Sequence, residues 1–169
     1  PEGGGDTLQT QGDLGAGAGR WGSRRFRVAD QRLDDPATYA ALSVADTLGV
    51  FQLGKAGMRR MLRQLKPDQF GDVVAACALY RPGPIKGGMV TDYCERKHGR
   101  RPVKYLHPAL RETTGSTHGC FVYQGQIMAT CRLLAGYTLG GADLVRRAMH
   151  KKRPEEMAQH RREFVAGCV

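Results

Sequence analysis

Cationic side chains near the C-terminal end of the chain are spaced to share one face of a helix. At about 100° per residue, residues 137–154 place on that face Arg146, Arg147, His150 and Lys151. The opposite face carries the apolar residues Leu144, Val145, Ala148 and Met149. An apolar face packed in a core fixes the cations in space, and guanidinium forks match phosphate oxygens. The pattern indicates a site for a polyphosphate or a nucleic-acid backbone, with a solvated helix face as the alternative.

Sequence motifs around and upstream of these cations occur in a recognisable order. Residues 137–149 read YTLGGADLVRRAM, residues 49–53 read GVFQL, and Gly57 and Met58 follow. Residues 78–100 read ALYRPGPIKGGMVTDYCERKHGR, and residues 122–124 read VYQ, with Gln126 and Met128 beyond them. Together these blocks resemble the fingers region of the bacterial C-family DNA polymerase III alpha subunit. The resemblance covers about residues 33–168, and four ordered blocks are far more specific than one short motif.

The resemblance implies part of a DNA-directed DNA polymerase that acts in DNA replication. Its fingers bind the incoming deoxynucleoside triphosphate and the primer–template DNA. The implied phosphate contacts are Arg146 and Arg147, with Lys151 assisting them and Lys152 touching DNA. The implied partners are the remainder of the alpha subunit and the replicase holoenzyme. Asp143 lies four residues before Arg147, so a local ion pair with Arg147 is the alternative to a phosphate contact.

Further DNA contacts are predicted upstream of this helix. Arg81 lies where the RPGP segment turns the chain, and it would either contact a phosphate or the template, or tie loop carbonyls together. A basic cluster follows, and from it we assign to DNA binding Arg96, Lys97 and Arg100. A solvated charge run is an equal alternative for that cluster. Tyr123 is expected to be a buried aromatic.

Three positions depart from the usual pattern of the resembled family. That family usually has Glu at the positions of Gly54 and Gly125, and Gly at the position of His150. The loss of two acids is expected to weaken any polar network in the cleft. These changes fit a divergent or decaying copy.

No catalytic residue and no metal ligand is assigned to this chain. The resemblance implies Mg²⁺ in the parent polymerase, bound by palm acids that the chain lacks. No Asp-x-Asp occurs, and the side chains of the adjacent pairs Asp34–Asp35 and Glu155–Glu156 diverge. The five cysteines form no CxxC, which argues against a disulfide framework or zinc knuckle. Cys94 and His98 have a tolerable ligand spacing but no second pair, so the isolated chain is not expected to polymerise DNA.

The overall charge points to a polyanionic partner. The 169 residues carry a formal net charge of +10. Residues 1–30 hold four arginines and four acids, so the whole excess lies beyond them. No apolar run approaches the roughly 20 residues that span a bilayer, and no secretory signal is visible. We therefore expect a cytoplasmic protein that binds DNA and has no membrane partner.

Two regions of different composition are predicted. Residues 1–32 are rich in glycine and poor in apolar side chains, which favours disorder or loose coil. The family resemblance is expected to stop near Arg32, as in a truncated gene, a frame-shifted upstream segment or an excised fragment. Residues 33–169 are predicted to form a partial fingers domain.

The predicted fold class is mainly α, with short extended segments at residues 47–53 and 120–123. Asp35 is expected to cap a helix with Pro36 at its first position. A helix over about residues 57–65 buries the stripe Met58, Met61, Leu62 and Leu65. The next helix is expected to be capped by Asp68, to be broken by RPGP, and to bury Phe70, Val73, Val74 and Cys77. A third buried face comprises Ile127, Cys131 and Leu134. Pro154 can begin the last helix.

Two other functions are compatible with the sequence. One is a stand-alone basic DNA-binding module without catalysis, and the other is a non-functional remnant. A fingers segment is preferred because the four motif blocks occur in one order.

Overall fold

A computed structural model describes residues 31–151 and 154–169 of the chain. The chain divides into two units, residues 1–32 and residues 33–169. Residues 1–30 of the segment predicted to be disordered, and Lys152, for which a DNA contact is predicted, lie outside the described residues.

The described residues form nine α-helices and no β-strand, which confirms the mainly α prediction. The first five helices are α1 Pro36–Val44, α2 Ala56–Leu65, α3 Phe70–Leu79, α4 Pro82–Lys86 and α5 Met89–Lys97. After them come α6 Leu110–Thr114, a 3-10 turn Gly115–Thr117, α7 Gln124–Ala135, α8 Leu139–Lys151 and α9 Pro154–Gly167. The two segments predicted to be extended are instead turns at residues 47–53 and coil at residues 120–123.

Local signals place several helix ends where the sequence predicts them. Asp35 caps α1, where its Oδ2 accepts the Thr38 N–H at 2.8 Å. Pro154 begins α9, with two acids in its first turn. α3 ends before Pro82, and Pro82 occupies the first turn of the short helix α4. The predicted Asp68 cap is wrong, because Gln69 precedes α3 and the Asp68 carboxylate binds Lys97 instead.

The core of the first half is centred on α2. The predicted stripe is confirmed, since the most buried residues of α2 are Met58, Met61, Leu62 and Leu65. The stripe predicted for α3 is wrong in rotation, because Phe70 and Val74 are exposed while Val73 and Cys77 pack only at the margin. The face of α3 that is buried comprises Ala75, Ala76 and Leu79. Alanines allow α3 to approach α2 closely, and the larger side chains are left outside.

A second apolar cluster joins α7, α8 and α9. Its buried members are Cys131, Ala142 and Val145, and residues packed against them include Ile127 and Phe164. Ala142 is fully buried, so its small side chain lets α8 lie close to α7. This cluster fixes the rotation of α8 and therefore the direction of its cations.

Gly57 is required by the packing of Tyr80 across α2. A Cβ at Gly57 would lie 2.1 Å from the Tyr80 hydroxyl oxygen and 3.0 Å from its ring carbon Cζ. Gly57→Ala is therefore expected to destabilise the fold by about 1–3 kcal/mol through overpacking, although alanine favours helix by about 1 kcal/mol. Urea unfolding measures this change. In a Tyr80→Ala background the same substitution should stabilise, and a loss in both backgrounds would contradict the steric explanation.

Candidate functional site

The cations of α8 point away from the core because small residues occupy the buried side. The buried residues of α8 are Ala142, Val145 and Ala148. Arg147, His150 and Lys151 are exposed, and Arg146 is half-buried. Together these four residues form the basic face of α8. The predicted apolar face is wrong at Leu144 and Met149, which are 56% and 42% exposed. The buried side of α8 is centred on Val145, with Ala142 at its other edge, which leaves Leu144 outside it. Met149 lines the pockets beside the helix instead.

Asp143 binds both arginines of the basic face. Its Oδ1 accepts the Arg146 Nε–H at 2.7 Å, and its Oδ2 lies 2.7 Å from Arg147 Nε. The predicted ion pair between Asp143 and Arg147 is thus present, and Arg146 shares the same carboxylate. Hydrogen bonding from Arg146, followed by the two positive charges, holds the pKa of Asp143 below its ordinary value. Each guanidinium is engaged through Nε, which leaves its terminal N–H groups to donate elsewhere.

A pocket of about 260 Å³ lies directly beside the basic face. Its lining brings together Gln124, Ile127, Arg146, Met149 and His150. Gln124 belongs to the VYQ block and Arg146 to the block of α8, so the fold places two separated motifs around one cavity. Of the three unusual positions, His150 lines this pocket, and Gly125 is exposed at the start of α7.

The turn before α7 is held by Gln126. Its Oε1 accepts the backbone N–H groups of Val122 and Tyr123 at 2.8 and 2.9 Å. Its Nε2 donates to the Thr113 carbonyl at 3.1 Å and to Thr117 Oγ1 at 2.7 Å. Gln126 therefore positions the VYQ block. Tyr123 is half-buried, and burial raises its pKa.

Lys97 lies in a buried ion-pair network that joins α5 to the start of α3. Its ammonium is 2.9 Å from Asp68 Oδ1 and 3.1 Å from Asp72 Oδ2, and its side chain is only 7% exposed. Burial opposes the charge, but the hydrogen bonds that the ammonium donates to both carboxylates outweigh this effect and raise the pKa of Lys97. Asp72 was not among the residues predicted from the sequence to form a site. An acidic residue within an otherwise apolar helix is the feature that could have indicated its buried ion pair.

Arg96 and Arg100 also have partners within the fold. Arg96 Nη1 donates to the His118 carbonyl at 3.3 Å, and its Nη2 lies 3.7 Å from Asp92. Arg100 forms a fork with Glu95 at 2.8–3.1 Å, and this hydrogen bonding lowers the pKa of Glu95. Arg100 is half exposed, whereas Arg96 is mostly covered. The DNA contacts predicted for Arg96, Lys97 and Arg100 stay predictions.

Arg81 is exposed at the start of α4. Within residues 31–151 and 154–169, no carbonyl or carboxylate hydrogen-bonds its guanidinium, so a role in tying loop carbonyls together has no support there. It lines a second cleft with residues of the GVFQL block. Its DNA contact also stays a prediction.

Another cavity, of about 380 Å³, lies among α7, α8 and α9. Its walls are mainly apolar and include Phe121, Met157 and Phe164. Thr130, His160 and Arg161 border this cavity, but the surface that faces it is almost wholly apolar. A triphosphate would therefore lose its hydration there for few hydrogen bonds in return. We therefore place the candidate phosphate site at the basic face of α8.

The His, Cys, Asp and Glu side chains of the described residues are not arranged to bind a metal ion. Within the described parts of the chain, no three His, Cys, Asp or Glu side chains converge as metal ligands do. Cys94 is buried, and burial raises its pKa to about 11. His98 Nε2 is engaged with the Gln64 carbonyl at 3.0 Å. The implied Mg²⁺ thus has no ligand set among these residues, and no reaction step is assigned to it here.

No helix in the described residues combines the length and apolar character needed to cross a bilayer.

Comparison with known proteins identifies close relatives. The family model for the bacterial DNA polymerase III alpha subunit finger domain matches residues 19–169. The expectation that the resemblance stops near Arg32 is therefore wrong. The chain is 49% identical to the DNA polymerase III subunit alpha of Pseudomonas aeruginosa over 141 residues, which are 80% of this chain and 12% of that protein.

Relatives from other bacteria give the same result. Identity to the DNA polymerase III subunit alpha of Aquifex aeolicus is 48%, across 81% of this chain and 12% of that protein. Identity to the corresponding subunit of Escherichia coli is 45%, across 83% of this chain and 13% of that protein. The chain thus spans about an eighth of the length of these curated relatives. With its helical fold, its ordered motifs and these matches, the chain belongs to the family of bacterial DNA polymerase III alpha subunit finger domains.

Proposed function

We propose that this chain forms the fingers segment that binds incoming deoxynucleoside triphosphate and primer–template DNA in a replicative DNA polymerase. The observation that carries the proposal is the arginine pair on Asp143, held beside a pocket that includes Gln124. Arg146, Arg147 and Lys151 would bind the phosphates of the nucleotide. They would also stabilise negative charge as pyrophosphate leaves.

The shared carboxylate supports this role because it limits the motion of both guanidinium groups. Two arginines with one acid keep a net positive charge, and their terminal N–H groups can form forked hydrogen bonds to phosphate oxygens. Lys151 is exposed at the end of the same helix. Arginines that are oriented before binding lose less conformational entropy when the nucleotide arrives.

We assign the direct DNA contacts to exposed cations, and an indirect role to residues that shape the surface around these cations. Arg81 and Arg100 are exposed and can reach the DNA backbone, and Lys152 is assigned by its place in the sequence. Arg96 and Lys97 are engaged within the fold, where neighbouring carboxylates offset their charge, so their contribution is the placement of α5. Sequence-independent binding follows, because phosphate contacts carry no base information.

We assign the remaining requirements of polymerisation to the parent polymerase. We propose that Mg²⁺ is bound by acids of the parent polymerase and supplies charge neutralisation and nucleophile activation there. The partners of the segment are the remainder of the alpha subunit and the replicase holoenzyme. Its compartment is the cytoplasm, where bacterial chromosomal DNA is copied.

DNA binding by the purified chain tests the electrostatic part of the proposal. We expect weak binding without sequence preference, and a linear fall of log K with log salt as counterion release is lost. Fluorescence anisotropy with two unrelated labelled duplexes, between about 50 and 200 mM salt, measures both properties. Circular dichroism confirms that the chain is folded. An affinity that does not change with salt, or that differs strongly between the duplexes, would contradict the proposal.

A further inference from the structure

A second cleft, of about 550 Å³, lies where the turn before α2 meets the turn between α3 and α4. Its lining residues come from both turns and from the flanking helices. They are Phe51, Gln52, Lys55, Met58, Cys77, Tyr80 and Arg81. We call this site the aromatic cleft. Of these residues, only Arg81 has a part in the function proposed above.

Phe51 presents its ring to solvent from a well-bonded turn. It is 86% exposed, and the turn that carries it is closed by several hydrogen bonds. Thr47 Oγ1 donates to the Leu53 carbonyl at 2.8 Å, and the Gly54 N–H donates to the Val50 carbonyl at 3.1 Å. A Cβ at Gly54 would lie 3.2 Å from the Thr47 carbonyl oxygen, so this turn has little room for another side chain. The backbone that carries the exposed ring is thus held in place rather than forming an open loop.

Tyr80 lines the same cleft, and its ring packs over Gly57 of α2. The cleft therefore carries two aromatic side chains on separate elements. A nucleobase stacks favourably on such rings, and stacking tolerates any base.

The two cations of the aromatic cleft have no acidic partner within residues 31–151 and 154–169. Lys55 and Arg81 are exposed, and none of the lining residues is acidic. No carboxylate in the described part of the chain forms an ion pair with either of them. By contrast, Lys97, Arg100, Arg146 and Arg147 are all paired. Two cations without a described acidic partner, beside one exposed ring, suit a ligand that has both a base and a phosphate.

We propose that the aromatic cleft binds one unpaired nucleotide of a single DNA strand. The base stacks on Phe51, and the flanking phosphates bind Lys55 and Arg81. The cleft has the volume of an ordinary small-ligand site, and a base within a duplex could not enter because its faces are already stacked. This inference rests on the proposed function in one respect, which is that the chain contacts DNA.

The test measures binding of a short fluorescein-labelled oligothymidylate to the full chain by anisotropy. Phe51→Ala is expected to weaken binding by about tenfold, which lies within the range for one base on an aromatic ring. Arg81→Gln should weaken binding and lower the salt slope by about one. Binding of a blunt duplex should change less in Phe51→Ala than binding of the single strand.

Matched controls come from the same elements. Leu48→Ala changes an exposed residue of the same turn that does not line the cleft. Arg63→Gln removes an exposed charge from α2 outside the cleft. Both variants should bind the single strand within about twofold of the parent chain, and thermal melts show whether all four variants are folded.

Several outcomes would overturn the inference. The first is that the folded parent chain shows no detectable binding of oligothymidylate. The second is that the cleft variants and the control variants lose affinity equally. The third is that Phe51→Ala weakens binding of the duplex and of the single strand by the same factor. A change of oligomeric state in Phe51→Ala without a change in DNA affinity would identify the cleft as a protein interface instead. Triphosphate binding, measured separately with Arg146→Ala, reports on the basic face of α8, so the two proposals can fail independently.

Discussion

Replacing Arg146 or Arg147 with alanine is expected to lower kcat/KM for nucleotide by roughly 10- to 150-fold in a complete polymerase that carries this segment. Each substitution removes a charge-assisted contact to the triphosphate, and such contacts contribute about 1.5–3 kcal/mol. DNA binding should change far less, because the lost contact is to the nucleotide. Steady-state kinetics in nucleotide, with a DNA-binding titration for each variant, measures both effects.

Two further variants separate phosphate binding from stability. Arg132→Ala removes an exposed arginine of α7 that lines none of the pockets described above, and it should leave kcat/KM within about twofold. Asp143→Asn keeps the size of the side chain but loses the charge that holds both guanidinium groups. It should raise KM while the melting temperature changes little. Unchanged kcat/KM in both arginine variants, or equal losses of thermal stability and activity, would end the phosphate-binding assignment.

The largest effect on stability is expected at Lys97. Asp72 is fully buried, and its Oδ1 has no hydrogen-bond partner among the described residues. Lys97→Met would leave this carboxylate without its cation in the interior. Removal of one partner from a buried pair typically costs about 3–5 kcal/mol, and we expect a loss of that order in the free energy of unfolding. Urea denaturation followed by circular dichroism measures it.

Controls for this variant lie in the same network and nearby. The double variant Lys97→Met with Asp72→Leu removes the stranded charge, so it should recover much of the lost stability. Arg100→Gln breaks an exposed pair with Glu95 and should cost less than about 1 kcal/mol. A loss below that of Arg100→Gln in the Lys97→Met variant would show that the buried pair does not stabilise the fold.

The same network gives stability a defined dependence on pH. Hydrogen bonding from Lys97 holds the pKa of Asp68 below its ordinary value. A carboxyl with a lowered pKa contributes stability above the pKa of the unfolded chain, and this contribution is lost as pH falls through the folded value. The pKa of Lys97 is raised, so its contribution is lost only as pH rises through an alkaline folded value. The contribution of the pair is therefore present across the neutral range.

Local physics explains which features could be predicted from the sequence. The Asp35 cap, the Pro154 helix start and the α2 stripe each depend on residues within one or two turns of the chain. Their energies are set by backbone geometry and by helical periodicity, both of which the sequence displays directly. The family could be predicted for a related reason, because its motif blocks occur in order along the sequence.

The side of a helix that is buried could be identified only from the tertiary structure. In α3 the sequence offers two apolar arcs, and the one with alanines is buried because it allows close approach to α2. In α8 the buried arc is centred on Val145, so Leu144 is exposed. Periodicity shows that a helix has an apolar side, but the shape of the partner surface selects which arc is buried.

The sequence by itself determined the family, the helical class and the basic face of α8. Only the tertiary structure decided what each cation binds. Lys97 reaches Asp68 and Asp72 across some 25 to 29 positions of the chain, and the aromatic cleft joins Phe51 to Arg81 in the same manner. Charge is a property of one residue, whereas an ion pair or a cleft depends on distances between elements that packing sets. That is why the cations appear alike in the sequence and differ in the folded chain.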